Sequence, residues 1–153
     1  MASNSETQVE DEFRSLMEGL RTTLPGVQLA TAFLLTVPMY ETYASFTRAE
    51  RGAYYIAFSS ALLASLLLTA PSSHQRLRSD DGVARRHRRH LDTAVRLTVA
   101  GSALFAVTIT AVAFLVSSIV LGTAWAVAFT VAVGFTCLWS WYYLPLVSFR
   151  RDM

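Results

Sequence analysis

Two features of the sequence could bind a ligand or transfer a proton. The first is a single carboxylate within an apolar stretch. Glu41 is the only ionisable residue within the four long hydrophobic stretches of the chain. An intramembrane carboxylate is a candidate proton or cation ligand, and Pro38 would free backbone carbonyls that assist coordination. The alternative, which we favour, is structural: Glu41 lies near the outer end of its stretch and would pair with Arg48 or Arg51 at the interface.

The second feature is a run of cations, in the order Arg85, Arg86, His87, Arg88, Arg89 and His90. The positive-inside rule alone explains such a run, and we favour that interpretation. Its four arginines would also attract anionic lipid headgroups. Nucleic-acid binding would need a folded domain with aromatic platforms or a groove-reading element, which this segment lacks, so we expect no nucleic-acid partner. With no carboxylate or cysteine in register, the two histidines predict no metal site.

The remaining polar and sulfur chemistry is sparse. Cys137 is the single cysteine, which excludes an internal disulfide, and it lies among apolar neighbours as a small packing residue. The sequence contains no glycine-rich phosphate loop, no Ser/His/Asp set and no paired carboxylates. We therefore expect neither an enzyme nor a bound cofactor.

Hydrophobicity defines the elements that position these residues. Of the 153 residues, 53% are hydrophobic and 16% charged, with a mean hydropathy of +0.38, which is too apolar for an ordinary soluble domain. A bilayer core needs about 20 apolar residues per helix. Residues 27–46 and 53–70 meet that length. Residues 97–149 carry no charge or histidine and are long enough for two helices, with a break expected at Gly122-Thr123.

The prediction is an all-α bundle of four transmembrane helices, arranged as two hairpins, with a short amphipathic helix before the first. The predicted segments are a cytoplasmic tail with that helix at 1–25, membrane helices at 27–46, 53–70, 97–121 and 124–147, an arginine-rich loop at 71–96, and a C-terminus at 148–153.

Arginine distribution predicts the orientation. Seven arginines lie in the loop 71–96, and each terminal segment adds two, whereas the opposite side has only Arg48 and Arg51. Under the positive-inside rule, both termini and the central loop face the cytoplasm. All thirteen basic residues are arginine, which indicates a GC-rich bacterial genome and hence a bacterial plasma membrane.

The N-terminal tail has the pattern of an amphipathic helix. Thr7 and Glu10 have the spacing of a capping box, and Pro25-Gly26 predicts a break before the first membrane helix. The polar side is acidic, so one hypothesis is that it pairs with the arginine-rich loop; the alternative is a solvated acidic face. The apolar face consists of Val9, Phe13, Leu16, Met17, Leu20 and Leu24.

Two stripes of small residues at four-residue spacing would allow close helix packing. The first contains Ala53, Ala57, Ala61 and Ser65, and the second contains Ala124, Ala128, Ala132, Thr136 and Ser140. Packing within one chain is the interpretation we favour, because four helices already need interfaces. A homo-oligomer or another membrane protein is the alternative partner.

The segment 18–38 resembles the signature of a family of small bacterial four-helix membrane proteins of unknown function. The similarity rests on Gly26-Val27-Gln28, Phe33-Leu34-Leu35-Thr36, the Ala70-Pro71 stop and Val99-Ala100-Gly101. One departure is His74-Gln75-Arg76, where the family has adjacent His-Arg. Members are sometimes labelled sodium:proton antiporters.

Two functions remain open. Antiport mechanisms use paired intramembrane carboxylates, and this chain offers only Glu41. We therefore expect a non-enzymatic accessory, structural or interaction protein of the membrane. The alternative is a small oligomeric protein that translocates an ion or proton.

Overall fold

The computed structural model describes residues 2–76 and 84–143, which fold into four long helices without a strand. This architecture confirms the all-α four-helix prediction. We call the end of the bundle that carries both hairpin turns the hairpin end. The helices are α1 (Ala2–Thr36), α2 (Arg48–Arg76), α3 (Ala84–Leu121) and α4 (Thr123–Leu138), with 3₁₀ turns at Val37–Met39 and Glu41–Ser45 and a π turn at Trp139–Tyr143.

Each helix contains a segment that is long and apolar enough to cross a membrane. Large apolar side chains are exposed on the outer faces of these segments: Leu66 is 65% exposed and Val120 is 71% exposed. In water such a surface would be costly, whereas in hydrocarbon it needs no cover. The four segments are Met17–Met39, Arg48–Ala70, Thr93–Leu121 and Thr123–Trp141.

The centre of the bundle is the contact between α2 and α3. Ala57, Ala61 and Ala64 on α2 are fully buried, in clusters that contain side chains of both α1 and α3. On α3, a Cβ added at Gly101 would lie 2.7 Å from Cγ of Leu68, which is itself fully buried. The first predicted stripe is therefore used inside the chain.

Helix α1 runs without interruption through Pro25, where the sequence predicts a break. Proline removes one backbone hydrogen bond, but a break here would also cost the packing on both sides of it. Leu20 before the proline and Val27 after it are buried in one cluster with Leu68 of α2. Gly26 lies against the ring of Phe105 on α3, since a Cβ added at Gly26 would lie 3.7 Å from Cζ of that ring.

The tail predicted as a separate amphipathic helix is consequently the first part of α1. Its described apolar residues Met17, Leu20 and Leu24 pack against the bundle interior, next to Leu104 and Phe105. Glu18 is exposed. The side chains of Val9, Phe13, Leu16 and Glu12 lie outside the described residues, and so does any pairing with the arginine-rich loop.

Helices also continue beyond the predicted membrane boundaries at the other end of the bundle. Helix α2 passes through Pro71 to Arg76, and α3 begins at Ala84, so much of the predicted loop 71–96 is helical. In α2, Leu68 is buried one turn before Pro71, so the helix is packed up to that point. In α3, the arginines of the first turns favour helix, because arginine is a good helix former. Hydropathy therefore predicts where a membrane span ends but not where the helix ends, because the helix continues into polar and charged residues.

Helix α4 is attached to the rest of the bundle through α3. Among the described residues it packs only against α3 and the π turn that follows it. Gly122, with φ 81°, makes the turn from α3 into α4, at the position where the sequence predicts one. Ala126 is the buried residue of α4, whereas the second small-residue stripe, on the opposite face, is exposed throughout.

The close approach at Gly101 gives a direct test of this packing. We expect Gly101→Ala to lower the free energy of unfolding by about 1–3 kcal/mol, because its methyl group would displace the buried Leu68 side chain. Gly19→Ala is the matched control: no atom lies within 4 Å of its added Cβ, so it should be neutral or stabilise by up to about 1 kcal/mol. Unfolding in detergent micelles, followed by circular dichroism, measures both. Equal stabilities for the two variants would contradict the packing.

Candidate functional site

The structure places Glu41, the predicted carboxylate site, in the 3₁₀ turn between α1 and α2. The first span ends at Met39, so Glu41 lies just beyond it at the hairpin end, and its side chain is exposed. The described residues provide it with no hydrogen bond or ion pair. Its role as a proton or cation ligand stays a prediction.

Arg51, one of the two predicted partners of Glu41, bonds the backbone instead. Its Nη2 donates to the carbonyl oxygen of Ala44 at 3.2 Å. Because Ala44 lies in the same 3₁₀ turn as Glu41, this bond fixes the turn against the start of α2. Arg48, the other predicted partner, is exposed.

A second carboxylate, Glu50, organises the hairpin end. The backbone N–H and the hydroxyl of Thr47 donate to Glu50 Oε2 at 2.7 and 2.9 Å. In return, the Glu50 N–H donates to Thr47 Oγ1 at 3.3 Å. This is a reciprocal capping box, which satisfies the N–H groups of Thr47 and Glu50 at the start of α2 and places a negative charge at the positive end of the helix.

Glu50 also connects two helices. The Ser118 hydroxyl, in the last turn of α3, donates to Glu50 Oε1 at 3.0 Å. One carboxylate therefore closes the cap of α2 and binds the end of α3, immediately before the Gly122 turn into α4. Sequence reasoning missed Glu50, although the Thr-x-x-Glu spacing that identified Thr7 and Glu10 is also present at Thr47 and Glu50.

Aromatic side chains fill the hairpin end beside this network. The Tyr54 ring is stacked on Phe58, with centroids 6.0 Å apart, and makes an edge contact with Tyr43 at 5.4 Å. The buried Tyr54 hydroxyl donates to the carbonyl oxygen of Leu34, which joins α2 to α1. The exposed Tyr43 hydroxyl donates to that of Tyr55 at 3.4 Å. These contacts fix the first hairpin.

Two buried hydroxyls meet in the middle of the α2–α3 contact. Ser60 Oγ and Thr108 Oγ1 are 2.8 Å apart, and each also lies within hydrogen-bond distance of a carbonyl in its own helix. Both side chains are at most 5% exposed. The pair is thus a polar clamp between helices whose hydrogen-bonding capacity is used within the chain.

The other predicted residues are only partly described. Arg85, Arg86, Arg88 and Arg89 belong to the first turns of α3, but their side chains, like those of His74, His87 and His90, lie outside the described residues. Cys137 is a free, half-buried thiol. Within 2–76 and 84–143, the described side chains include no group of three metal-binding residues.

The sequence matches one known protein family over most of its length. The model of DUF6328, a family of unknown function, matches residues 3–145. The chain belongs to this family. No curated protein and no solved structure matches it. The resemblance to an unknown-function family is therefore confirmed, and in this DUF6328 member the match covers all four helices, including Glu41 and the Glu50 network.

A double-mutant cycle tests the Glu50–Ser118 connection. Glu50→Ala should lower the free energy of unfolding by about 1–2 kcal/mol, because it removes both the cap and the contact with α3. Ser118→Ala should have a smaller effect, and the two should couple by about 0.5–1.5 kcal/mol. Chemical unfolding in micelles gives the four values.

The control for this cycle is Glu41→Ala, which removes an exposed carboxylate from the neighbouring turn and should change stability by less than about 0.5 kcal/mol. Strict additivity of the Glu50 and Ser118 variants would disprove the link between α2 and α3.

Proposed function

We propose that this chain is a multi-pass protein of the bacterial plasma membrane, with an accessory or structural role that it performs through helix packing and contact with lipid or with another membrane protein. The observation that carries the proposal is the distribution of polarity. The outer faces of the four spans are apolar, whereas the buried hydroxyls of Ser60, Thr108 and Ser117 are bonded to groups of the same chain.

A role without catalysis has a physical basis in the polar groups that are described. Glu50 is occupied by three donors from Thr47 and Ser118, so its charge stabilises the fold. The Ser60–Thr108 clamp is closed on itself. Polar groups that already satisfy one another hold helices together but offer little to a substrate.

The proposed orientation places the hairpin end outside the cell. Arg48 and Arg51 are the arginines of that end, and Arg51 is engaged with the Ala44 carbonyl. The opposite end carries Arg14, Arg21 and the arginine-rich segment, which favours the cytoplasm. Contact of Arg85, Arg86, Arg88 and Arg89 with anionic headgroups is part of the same proposal.

A topology assay tests this proposal. We expect a reporter fused after residue 150 to be active in the cytoplasm, and one inserted in the hairpin-end turn near Gly122 to be active outside, because the arginines are concentrated at the other end. In a fractionation experiment, the untagged chain should be found in the membrane fraction, and salt should not extract it. A reporter at residue 150 that is active outside, or a chain that stays soluble without detergent, would refute the proposal.

The second candidate function is ion or proton translocation by several copies. The exposed position of Glu41, free of the hydrogen bonds that engage Glu50, is the observation that favours it. A carboxylate at a span end, next to Pro38, could serve a path formed between copies.

Flux measurements separate the two candidates. Because the accessory role needs no ion path, we expect proteoliposomes containing the wild-type chain or Glu41→Gln to show the same sodium and proton flux as empty liposomes. A pH-sensitive dye trapped inside the vesicles, with sodium gradients of both directions, reads the flux. Wild-type flux above the empty control that is lost in Glu41→Gln would establish translocation instead.

A further inference from the structure

An open groove of about 400 Å³ runs along α3, between α1 and α4. Its floor is α3, and its two walls are α1 and α4, which do not pack against each other in the described residues. The lining side chains are almost all hydrocarbon. They include Ala30 of α1, Ile109, Val112 and Val116 of α3, and Phe129 and Val133 of α4.

Aromatic rings close one end of this groove. Phe105 of α3 lies at that end, where its ring packs against Gly26 of α1. On the other side the same ring is stacked on Trp141, with centroids 6.3 Å apart. Phe105 thus lies between α1 and the π turn that follows α4. The groove is therefore bounded by this ring contact at the end away from the hairpin turns.

The polar atoms in the groove wall are already engaged. Thr108 is fully buried, and its hydroxyl is hydrogen-bonded to that of Ser60 on α2, which packs on the opposite face of α3. The Ser117 hydroxyl donates to the carbonyl oxygen of Ala113, one turn earlier. An occupant therefore finds no free hydroxyl donor among these side chains, and the rest of the lining is hydrocarbon, so the wall is complementary to hydrocarbon and not to a polar ligand.

The dimensions of the groove match one leaflet of a bilayer. Its floor runs from Phe105 to Ser117, which is about 18 Å at 1.5 Å per residue. Phe105 is close to the middle of the span Thr93–Leu121, and Ser117 is one turn from its end. One leaflet of a hydrocarbon core of about 30 Å has a thickness of about 15 Å. The groove thus begins near the midplane, where acyl chains end, and rises to the headgroup level.

We propose that this groove is a binding site for one acyl chain of a phospholipid from the leaflet at the hairpin end. The site is continuous with the apolar outer surface of α1 and α4, which make no contact with each other across it in the described residues. The chain terminus lies against the Phe105–Trp141 stack, and the headgroup stays at the interface. The inference rests on the proposed membrane location and adds to it a site that retains a lipid when the bulk bilayer is removed.

The experiment is native mass spectrometry of the full-length chain in detergent micelles, after delipidation and titration with phosphatidylglycerol. The wild type should retain one phospholipid per chain. Filling the groove with Ala113→Phe or Ala30→Phe should reduce this retention about tenfold or more, which corresponds to about 1.4 kcal/mol. The matched control, Ala128→Phe, adds the same ring to the exposed face of α4 and should bind as the wild type does.

A second measurement separates loss of the site from loss of the fold. Phosphatidylglycerol should raise the unfolding temperature of the wild type and of Ala128→Phe by linkage, and should leave the two groove-filled variants unchanged. At least one of these variants should keep the wild-type unfolding temperature without lipid, because its ring occupies the space of the acyl chain.

Three results would overturn the inference. Equal retention in all four proteins, or none in the wild type, would show that the groove holds no lipid. If the lipid-free chain forms a dimer and the groove-filling substitutions dissociate it, the groove binds a second copy of the chain and not a lipid. A chain absent from the membrane fraction would refute the proposed membrane location itself, which fractionation reports independently of lipid retention.

Discussion

The close contact of α2 with α3 is the constraint on which the rest of the structure depends. In hydrocarbon there is little hydrophobic gain from bringing helices together, so association relies on van der Waals contact and on hydrogen bonds between helices. Gly101 and the buried alanines of α2 allow the approach, and Ser60 and Thr108 bond across it. Helix α1 then packs on the cluster around Leu68, whereas α4 is held through α3 alone in the described part of the chain.

Much of this architecture could be predicted, because four stretches have the length and apolar composition that a bilayer requires of a spanning helix. The four apolar segments, their pairing as hairpins and the turn at Gly122 all follow from length, charge and one glycine. Membership of an unknown-function family was also recognisable from short motifs between Glu18 and Gly101. The small residues of α2 indicate where other helices approach closely, but they do not show that these helices are α1 and α3.

The remaining features depend on tertiary contacts that a local pattern does not contain. Pro25 predicts a break by its own chemistry, but Leu20 and Val27 are packed on either side of it, and the helix continues. Glu50 lies just before the hydrophobic stretch 53–70, where a charged residue is ordinary, so hydropathy gives it no distinct role. Its bond to Ser118 joins residues that are distant in sequence. The groove beside α3 ends where Phe105 packs against Gly26 and Trp141, a contact that no local sequence pattern shows.

The central claim is that hydrocarbon surrounds this bundle while α2 and α3 bury each other. Photolabelling with an apolar carbene precursor in native membranes, read residue by residue with mass spectrometry, tests both parts at once. We predict label on outward side chains such as Leu66, Val120 and Phe135, and none on Ala57, Ala61 or Ala64. Label distributed evenly around α2, or absent from all four spans, would contradict the account.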